Sequence, residues 1–471
     1  MRFRHALGTL VLGLDVVACG ATGNDPASDD GIEESTELVV DSSSNGAGSA
    51  ETFSPTKLNT SSSQPFFHSF GTNGRACSTC HVESLGWSVT PSFVSSLSRK
   101  DPLFSFDGSD CLPPGASNSN PTKNSTQLRN YGTIRVELPI PEGADFTLVS
   151  STDPLGCPTP ATAAALRLYR RPLPSANTAF LATVMWDGRE NVAGTVTDDL
   201  KHQANDATLG HAQATTPLSD ANQTAVVAFE TGTFFAQRRL GSAVTGVDLT
   251  SLGAHGGARY LHDTVLPEFF IGINDPFQPG FDNRVFDIFA AWERNSPALS
   301  TADAVFAPTR ASIGRGEVVF NTKPIQITNV SGLNGPNDAS QTPIAGFCGT
   351  CHDTPNVGDH SVSLALDIGI TAPRPVGGLD VAHLPTYTFQ QTSTQQRITV
   401  TDGGRGLVSG KFVDLGKTKG PILRGLSARA PYFHNGSAKD LNAVVSFYDT
   451  RFGMGLTAQE KRDLATFLSA L

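Results

Sequence analysis

Two short runs in this sequence combine two thiols and an imidazole at the same spacing. Residues 77–81 read Cys-Ser-Thr-Cys-His, and residues 348–352 read Cys-Gly-Thr-Cys-His. This pattern is the attachment site of a c-type haem, because the two thiols add to the porphyrin vinyl groups and the adjacent histidine reaches the iron. A zinc site would need all four thiols to converge, and it would not require a histidine after each pair. The pattern therefore predicts two covalently bound haem c groups, attached through Cys77, Cys80, Cys348 and Cys351, with His81 and His352 as iron ligands.

The composition narrows the class of protein. The chain has 471 residues, enough for two or three domains, and its 46 glycines and 30 prolines predict many loops and turns. The formal net charge of −10 argues against a nucleic-acid partner, which would need a basic surface to neutralise phosphates. An acidic protein would instead suit a small basic electron donor.

The first residues predict export. A short basic start precedes an apolar run over residues 7–18, which is too short for a comfortable membrane span. The run ends in Val-Val-Ala-Cys, which is similar to the lipobox of bacterial lipoproteins, so a lipidated Cys19 would tether the protein to a membrane that it does not cross. An ordinary cleaved signal peptide is the alternative. Either interpretation predicts a periplasmic or cell-envelope protein, with residues 1–19 as signal peptide and residues 20–55 as a disordered tether.

The two haem motifs need elements that position them. We expect a mainly α fold of two cytochrome c-like haem domains, residues 56–300 and 301–471, because helix-borne ligands grip the iron while loops cover the haem faces. Loop-rich insertions and a small β-hairpin, in which residues 133–138 pair with residues 146–149, complete this prediction. A link rich in proline and alanine near residues 296–308 would separate the domains. Helices are predicted over residues 161–169, 178–185, 196–205, 285–293, 313–320 and 437–449, and after a capping box formed by Thr457 and Glu460.

Two cysteines remain once the haem motifs and the N-terminal cysteine are assigned. Cys111 and Cys157 flank the predicted hairpin. In an oxidising compartment a disulfide between them is the natural interpretation, and two free buried thiols are the alternative.

The residues around the haem motifs resemble the bacterial di-haem cytochrome c peroxidase family, including its MauG branch. The resemblance covers nearly all of residues 66–471. Its most specific pieces are Gly74-Arg75 before the first motif, Trp-Asp-Gly-Arg at 186–189, Leu-Arg at 423–424 and Ala-Pro-Tyr-Phe-His-Asn-Gly at 430–436. The resemblance implies that the first haem is a high-spin site that reacts with peroxide or dioxygen, and that the second relays electrons.

The resemblance also implies roles for residues near the first haem. Trp186 matches the tryptophan that relays electrons between the haems, although a purely structural indole is an alternative. Gln203 matches a glutamine of the distal pocket. The family has a distal glutamate further along, and here the run ends in His211, which we expect to act as acid–base catalyst because imidazole titrates near neutrality. The alternatives are that His211 ligates the iron or is a surface histidine.

The second difference from the classical peroxidases concerns the ligand of the second haem. Fourteen positions after His434 the peroxidases have a methionine ligand and the MauG branch a tyrosine, and here the position is Tyr448. Tyr448 is therefore the expected ligand of this haem. Alternatively, Met454 is the ligand, or Tyr448 is only a core residue. Calcium between the domains is usual in the family and is predicted here, although Arg429 replaces the threonine two residues before Pro431. The resemblance further implies that two arginines hold haem propionates or the domain interface, namely Arg189 and Arg424.

These observations predict a di-haem c-type oxidoreductase that reduces hydrogen peroxide, or uses peroxide or dioxygen as oxidant. Its partner would be a small redox donor protein or an organic substrate. A MauG-like or oxygenase-type enzyme acting on an organic or protein substrate is one alternative, and a non-catalytic electron-transfer cytochrome is another.

Overall fold

The computed structural model describes residues 39–56, 58–113, 115–157, 166–192, 194–242, 246–293 and 303–471. The predicted signal peptide and Cys19 lie outside the described residues, as does most of the predicted link between the haem domains. The described residues belong to a compact unit that spans residues 37–471. Among them, no helix is both long and apolar enough to cross a bilayer.

Helices and strands both contribute substantially to the fold. Helical residues, including many single 3-10 turns, make up 33% of the described chain and strands make up 16%. The prediction of a mainly α fold is therefore wrong. The α-helices are α1 (Pro91–Ser96), α2 (Pro121–Asn124), α3 (Thr126–Tyr131), α4 (Val196–Gly210), α5 (Asp220–Thr231), α6 (Ala258–Tyr260), α7 (Ala307–Thr322), α8 (Gly406–Ser409), α9 (Leu441–Phe452) and α10 (Ala458–Ala470).

The strands form several small antiparallel sheets. One has the order β1-β2-β6-β7, a second has the order β12-β11-β4, and three are two-stranded pairs, β3-β5, β8-β9 and β10-β13. The strands are β1 (Val39–Asn45), β2 (Gly48–Ser54), β3 (Ile134–Leu138), β4 (Phe146–Thr152), β5 (Leu166–Arg170), β6 (Phe234–Leu240), β7 (Val247–Asp248), β8 (Ile325–Ile327), β9 (Ile344–Gly346), β10 (Ala365–Leu366), β11 (Thr386–Gln391), β12 (Arg397–Val400) and β13 (Thr418–Lys419).

The end of the predicted tether is part of this sheet structure. Strand β2 pairs with β1 on one side and with β6 on the other, and its Ala50 and Phe53 are fully buried. The prediction of a disordered tether over residues 20–55 is therefore wrong for residues 39–54. Ladder hydrogen bonds and the burial of a few apolar side chains order this serine-rich stretch, which its composition alone did not indicate.

The predicted hairpin also differs from the structure. Strand β3 pairs with β5, which lies in a segment predicted to be helical, and β4 pairs with the distant strand β11. Two prolines in the connection, Pro139 and Pro141, explain why β3 and β4 do not form a tight hairpin, because proline has no N–H to donate to a ladder. The disulfide beside this region is confirmed, since Cys111 and Cys157 are bonded with a Cα–Cα distance of 5.3 Å.

The longer helices agree better with the sequence. Helix α4 begins at Thr195, whose hydroxyl accepts the Asp198 N–H, and it extends beyond the predicted end. Helix α10 begins with the predicted capping box of Thr457 and Glu460. The segments 178–185 and 285–293 hold only single 3-10 turns, at Thr178–Phe180 and Ala290–Trp292.

Candidate haem sites

The two haem motifs adopt the same local structure. Each starts with a single 3-10 turn, at Cys77–Thr79 and at Cys348–Thr350, and each threonine hydroxyl accepts the N–H of the residue before the first cysteine. The Nδ1 of His81 donates to the Trp87 carbonyl at 3.0 Å, and that of His352 donates to the Gly358 carbonyl at 2.8 Å. Because Nδ1 carries the proton, Nε2 of each imidazole is free to bind a metal.

Each motif lines its own large cavity. The first cavity, beside Cys77, Cys80 and His81, contains about 1440 Å³ of atom-free space, and the second, beside Cys348, Cys351 and His352, contains about 1510 Å³. The two cysteine pairs line different cavities, so the four thiols do not form a common zinc site. Both linings are mostly apolar, which suits a porphyrin plane.

The cysteine thiols of both motifs are buried and held in the neutral form. Burial raises the pKa of the Cys77 thiol to about 12 and that of the Cys80 thiol to about 11. In the second motif, burial raises the pKa of both thiols to about 12. A catalytic or redox dithiol would have a lowered pKa instead. Burial also lowers the pKa of His352 to about 4, which keeps the imidazole in the neutral form that binds iron. The residues present therefore fit haem c.

A shared wall separates the two cavities. Trp186 is almost completely buried in this wall, and its indole N–H donates to the Arg171 carbonyl at 2.8 Å. The next residue, Asp187, is held by the Arg170 guanidinium, which also binds the buried Asp402. Trp186 therefore lies between the two cavities. The residues that line both cavities are Arg171, Pro172, Leu173, Pro174, Trp186 and Lys419.

The wall carries cations that lack carboxylate partners at ion-pair distance among the described residues. The Arg171 and Arg429 guanidinium groups donate only to backbone carbonyls, and the Lys419 ammonium donates to the Thr183 carbonyl at 2.6 Å. Burial lowers the pKa of Arg171 to about 9, of Arg429 to about 10 and of Lys419 to about 8. Two haem c groups would bring four propionates, so these cations supply the charge complement that a bound haem requires.

Helix α4 presents one face to the first cavity. Gln203, Ala207 and His211 recur at a spacing of four residues, and all three line this cavity. The Gln203 amide makes no hydrogen bond to other described side chains or backbone groups. The structure thus brings both predicted distal residues to the cavity of the first motif.

The sequence did not indicate the partner that orients His211. Its Nδ1 lies 2.5 Å from Oδ2 of Asp107, and Asp107 is paired with Arg75. Burial alone would raise the pKa of Asp107, but the Arg75 charge and the His211 hydrogen bond hold it below its usual value. The carboxylate therefore accepts from Nδ1–H, which leaves Nε2 of His211 as the basic nitrogen.

Two further residues of the first cavity were missed. Glu230, from helix α5, is buried, and burial raises its carboxyl pKa to about 8, so the acid is mostly neutral at pH 7. His68, which precedes the first motif, also lines this cavity. Neither residue stands in a recognisable motif, and only the packing of α5 and of the segment before the motif brings them there.

The second cavity contains both proposed ligands for its haem. Tyr448 and Met454 line it, and the Tyr448 ring lies 6.5 Å from the His352 ring, measured between centroids. The Tyr448 hydroxyl has no hydrogen-bond partner among the described residues, and burial raises its pKa. His360 and His434 also line this cavity, and both were missed as possible haem contacts. One face of α9, with Leu441, Val444 and Tyr448, therefore lines the second cavity.

The two arginines predicted to hold propionates differ in position. Arg189 lines the first cavity, and its guanidinium binds the Asp187 carboxylate at 3.2 Å. Arg424 lines neither cavity, and its guanidinium donates to the carbonyls of Leu471, Asn356 and Gly257. Arg171 lines both cavities and Arg429 lines the second, so these two arginines face the cavities where Arg424 does not.

Comparisons with known proteins agree with the haem motifs. No family model matches the sequence. A segment of 142 residues is 33% identical to cytochrome-c peroxidase IdrP1 of Pseudomonas sp. (strain SCT), covering 26% of this chain and 36% of the relative. Another of 78 residues is 40% identical to cytochrome-c peroxidase IdrP2 of Denitromonas iodatirespirans, covering 15% of this chain and 21% of the relative. The chain thus spans about a third or less of these relatives' length in the matches.

A solved structure of a MauG-like protein associated with microbial copper homeostasis aligns with 87% of this chain and 86% of its own, at 16% identity and a TM-score of 0.38. This likeness is too low to bear on the assignment, which rests on the two motifs and the sequence relatives. In the matched segments the chain is thus similar to bacterial cytochrome-c peroxidases, and the two haem motifs agree with that similarity.

Proposed function

We propose that this chain is a di-haem peroxidase that reduces hydrogen peroxide at the first cavity. The observation that carries the proposal is the hydrogen bond between Asp107 and His211, which fixes a basic imidazole nitrogen in the wall of a cavity that has its own haem motif. A haem bound there would supply the metal that binds and reduces the peroxide. The net reaction takes up two electrons and two protons and converts one hydrogen peroxide into two waters.

His211 and Asp107 provide for the protons. With Nδ1–H held by the carboxylate, Nε2 of His211 can accept the proton of an incoming peroxide and return it to the oxygen that leaves as water. Asp107 stabilises the imidazolium that forms in between, as a carboxylate does for a paired histidine. Gln203, whose amide has no hydrogen-bond partner in the described part of the chain, can orient the peroxide by hydrogen bonds.

Trp186 is the proposed relay for the electrons. We infer that a small redox donor protein delivers them one at a time to the second haem, and that Trp186, in the wall shared by both cavities, lies on the route to the first. Two domains, 56–300 and 301–471, each carrying one haem, remain our prediction for the organisation. Export through the N-terminal residues, with lipidation of Cys19, also remains a prediction, and it would place the enzyme where c-type haem is attached.

A second function is favoured by Tyr448. Its phenol faces the second cavity and has no hydrogen-bond partner among the residues that the structure describes, which suits ligation of iron. Phenolate ligation lowers the reduction potential compared with a thioether. Such a site suits a MauG-like enzyme that oxidises an organic or protein substrate. The alternative of a non-catalytic cytochrome requires that His211 is itself an iron ligand. A carboxylate partner on Nδ1 is also typical of a histidine that ligates a metal.

Electron paramagnetic resonance of the oxidised protein separates these functions, combined with a peroxide-consumption assay. A peroxidase gives a high-spin signal beside a low-spin one, and it consumes peroxide with a reduced donor. The His211→Ala variant should keep both signals and lose peroxide turnover. Two low-spin signals, one of which becomes high-spin in His211→Ala, would show that His211 is a ligand and would contradict the proposal.

A further inference from the structure

The Arg171 guanidinium lies where three backbone carbonyls converge. It donates to the carbonyl of Arg429 at 2.8 Å and to those of Tyr131 and Gly132 at 3.2 and 3.3 Å. Arg171 is 5% exposed, and no carboxylate of the described residues forms an ion pair with it. A buried cation is thus surrounded by neutral oxygen atoms from two segments that are distant in the sequence.

Converging carbonyls are also what a calcium ion binds, usually together with carboxylates. The family resemblance predicted calcium near Pro431, and Arg429, two residues earlier, supplies one of the carbonyls that Arg171 occupies. The Arg429 guanidinium lies nearby and donates to the carbonyls of Ile422 and Arg424. Two guanidinium groups without a carboxylate would repel a divalent cation, so the residues present do not fit calcium.

We propose that Arg171 is a built-in cation that takes the place of calcium between the two haem cavities. The backbone of the same residue supports this role, because its N–H donates to the His434 carbonyl at 2.6 Å and its carbonyl accepts from the Trp186 indole. Arg171 therefore connects the Trp186 wall to the 429–434 segment by its backbone and its side chain together. The protein needs no dissociable metal to hold this connection.

The test uses the intact holoprotein. After gel filtration, calcium is measured by atomic emission, and the melting temperature is recorded in about 1 mM calcium chloride and in about 1 mM EGTA. We expect no stoichiometric calcium and a difference in melting temperature below about 1 °C. One calcium per chain, or a fall of more than about 2 °C in EGTA, would overturn the proposal.

An asparagine substitution sharpens the test. Arg171→Asn removes the guanidinium and leaves the three carbonyls open to an ion, so the variant should melt several degrees lower in EGTA and recover part of the loss in calcium. Arg99→Asn, at an exposed arginine, should behave like the unmodified protein in both buffers. An Arg171→Asn protein that folds and does not respond to calcium would contradict a cation cage. If that variant fails to fold, the measurements on the unmodified protein decide the question alone.

Discussion

Replacing Asp107 by asparagine tests the acid–base assignment most directly. The Asp107 side chain is 2% exposed and holds Nδ1 of His211 at 2.5 Å, so the two groups are fixed relative to each other. An asparagine can donate its amide N–H to Nδ1, which would place the ring proton on Nε2 and remove the base that faces the cavity. General acid–base catalysis contributes about 10²- to 10⁴-fold, equivalent to about 3–5 kcal/mol in the barrier. We therefore expect peroxide reduction to slow by this factor.

The same substitution has a separate cost in stability. It leaves the buried Arg75 without its carboxylate, and the loss of such a partner lowers the free energy of unfolding by about 1–3 kcal/mol when an isosteric amide remains. Asp463→Asn is a matched control, because Asp463 is also a buried partner of an arginine, Arg315, but lines neither cavity. Because Arg315 is 48% exposed, the control should lose less stability than Asp107→Asn, and it should keep its activity.

The assay is stopped-flow absorbance of the haem bands after mixing with hydrogen peroxide. Haem content is measured first by the pyridine haemochrome spectrum, so that the rates refer to loaded protein. The reasoning is refuted if Asp107→Asn, with both haems attached, reacts within about threefold of the unmodified protein. It is equally refuted if Asp463→Asn slows the reaction as much.

Three further results are expected. Tyr448→Phe should change the low-spin signal of the second haem, whereas Met454→Leu should leave it unchanged, and the reverse would assign the methionine as ligand. Trp186→Phe should slow electron transfer between the haems at least about tenfold in flash-reduction kinetics, while Trp292→Phe, a buried indole that lines neither cavity, should not. Burial raises the pKa of Glu317 to about 8 from about 4.5, so the stability linked to its protonation is fully present below pH 4.5 and is lost as the pH rises through 8. As the pH rises from 4.5 to 7, the unmodified protein should therefore lose roughly 3 kcal/mol of unfolding free energy that the Glu317→Gln variant does not lose, measured by urea unfolding. The same pH dependence in both proteins would contradict the assignment.

The haem motifs were predictable because covalent attachment confines the thiols and the ligand to five consecutive residues. The Tyr448 position followed from a fixed count after His434, and the structure places both residues at the second cavity. The partner of His211 could not be predicted, because Asp107 is 104 positions away and nothing in its local sequence differs from an ordinary turn. Pairs of this kind are set by tertiary packing.

The fold class was predicted less well for a related reason. Helices α4, α9 and α10 carry N-terminal caps that a sequence shows directly. Strand β5 lies in a segment whose alanines suggested a helix, and its pairing with β3 outweighs that weak preference. Strand β2 is largely polar, and its order comes from pairing with strands on both sides.

The sheet β12-β11-β4 joins stretches of chain that lie before and after residues 294–302. Phe146 pairs with Gln391 and Thr152 with Thr386, so each stretch completes the hydrogen-bond ladder of the other. Exchanging one stretch for its counterpart from a relative would leave an unpaired strand edge unless the partner strand were exchanged too. A substitution that disturbs this ladder on one side therefore also disturbs the stretch that carries the other haem motif.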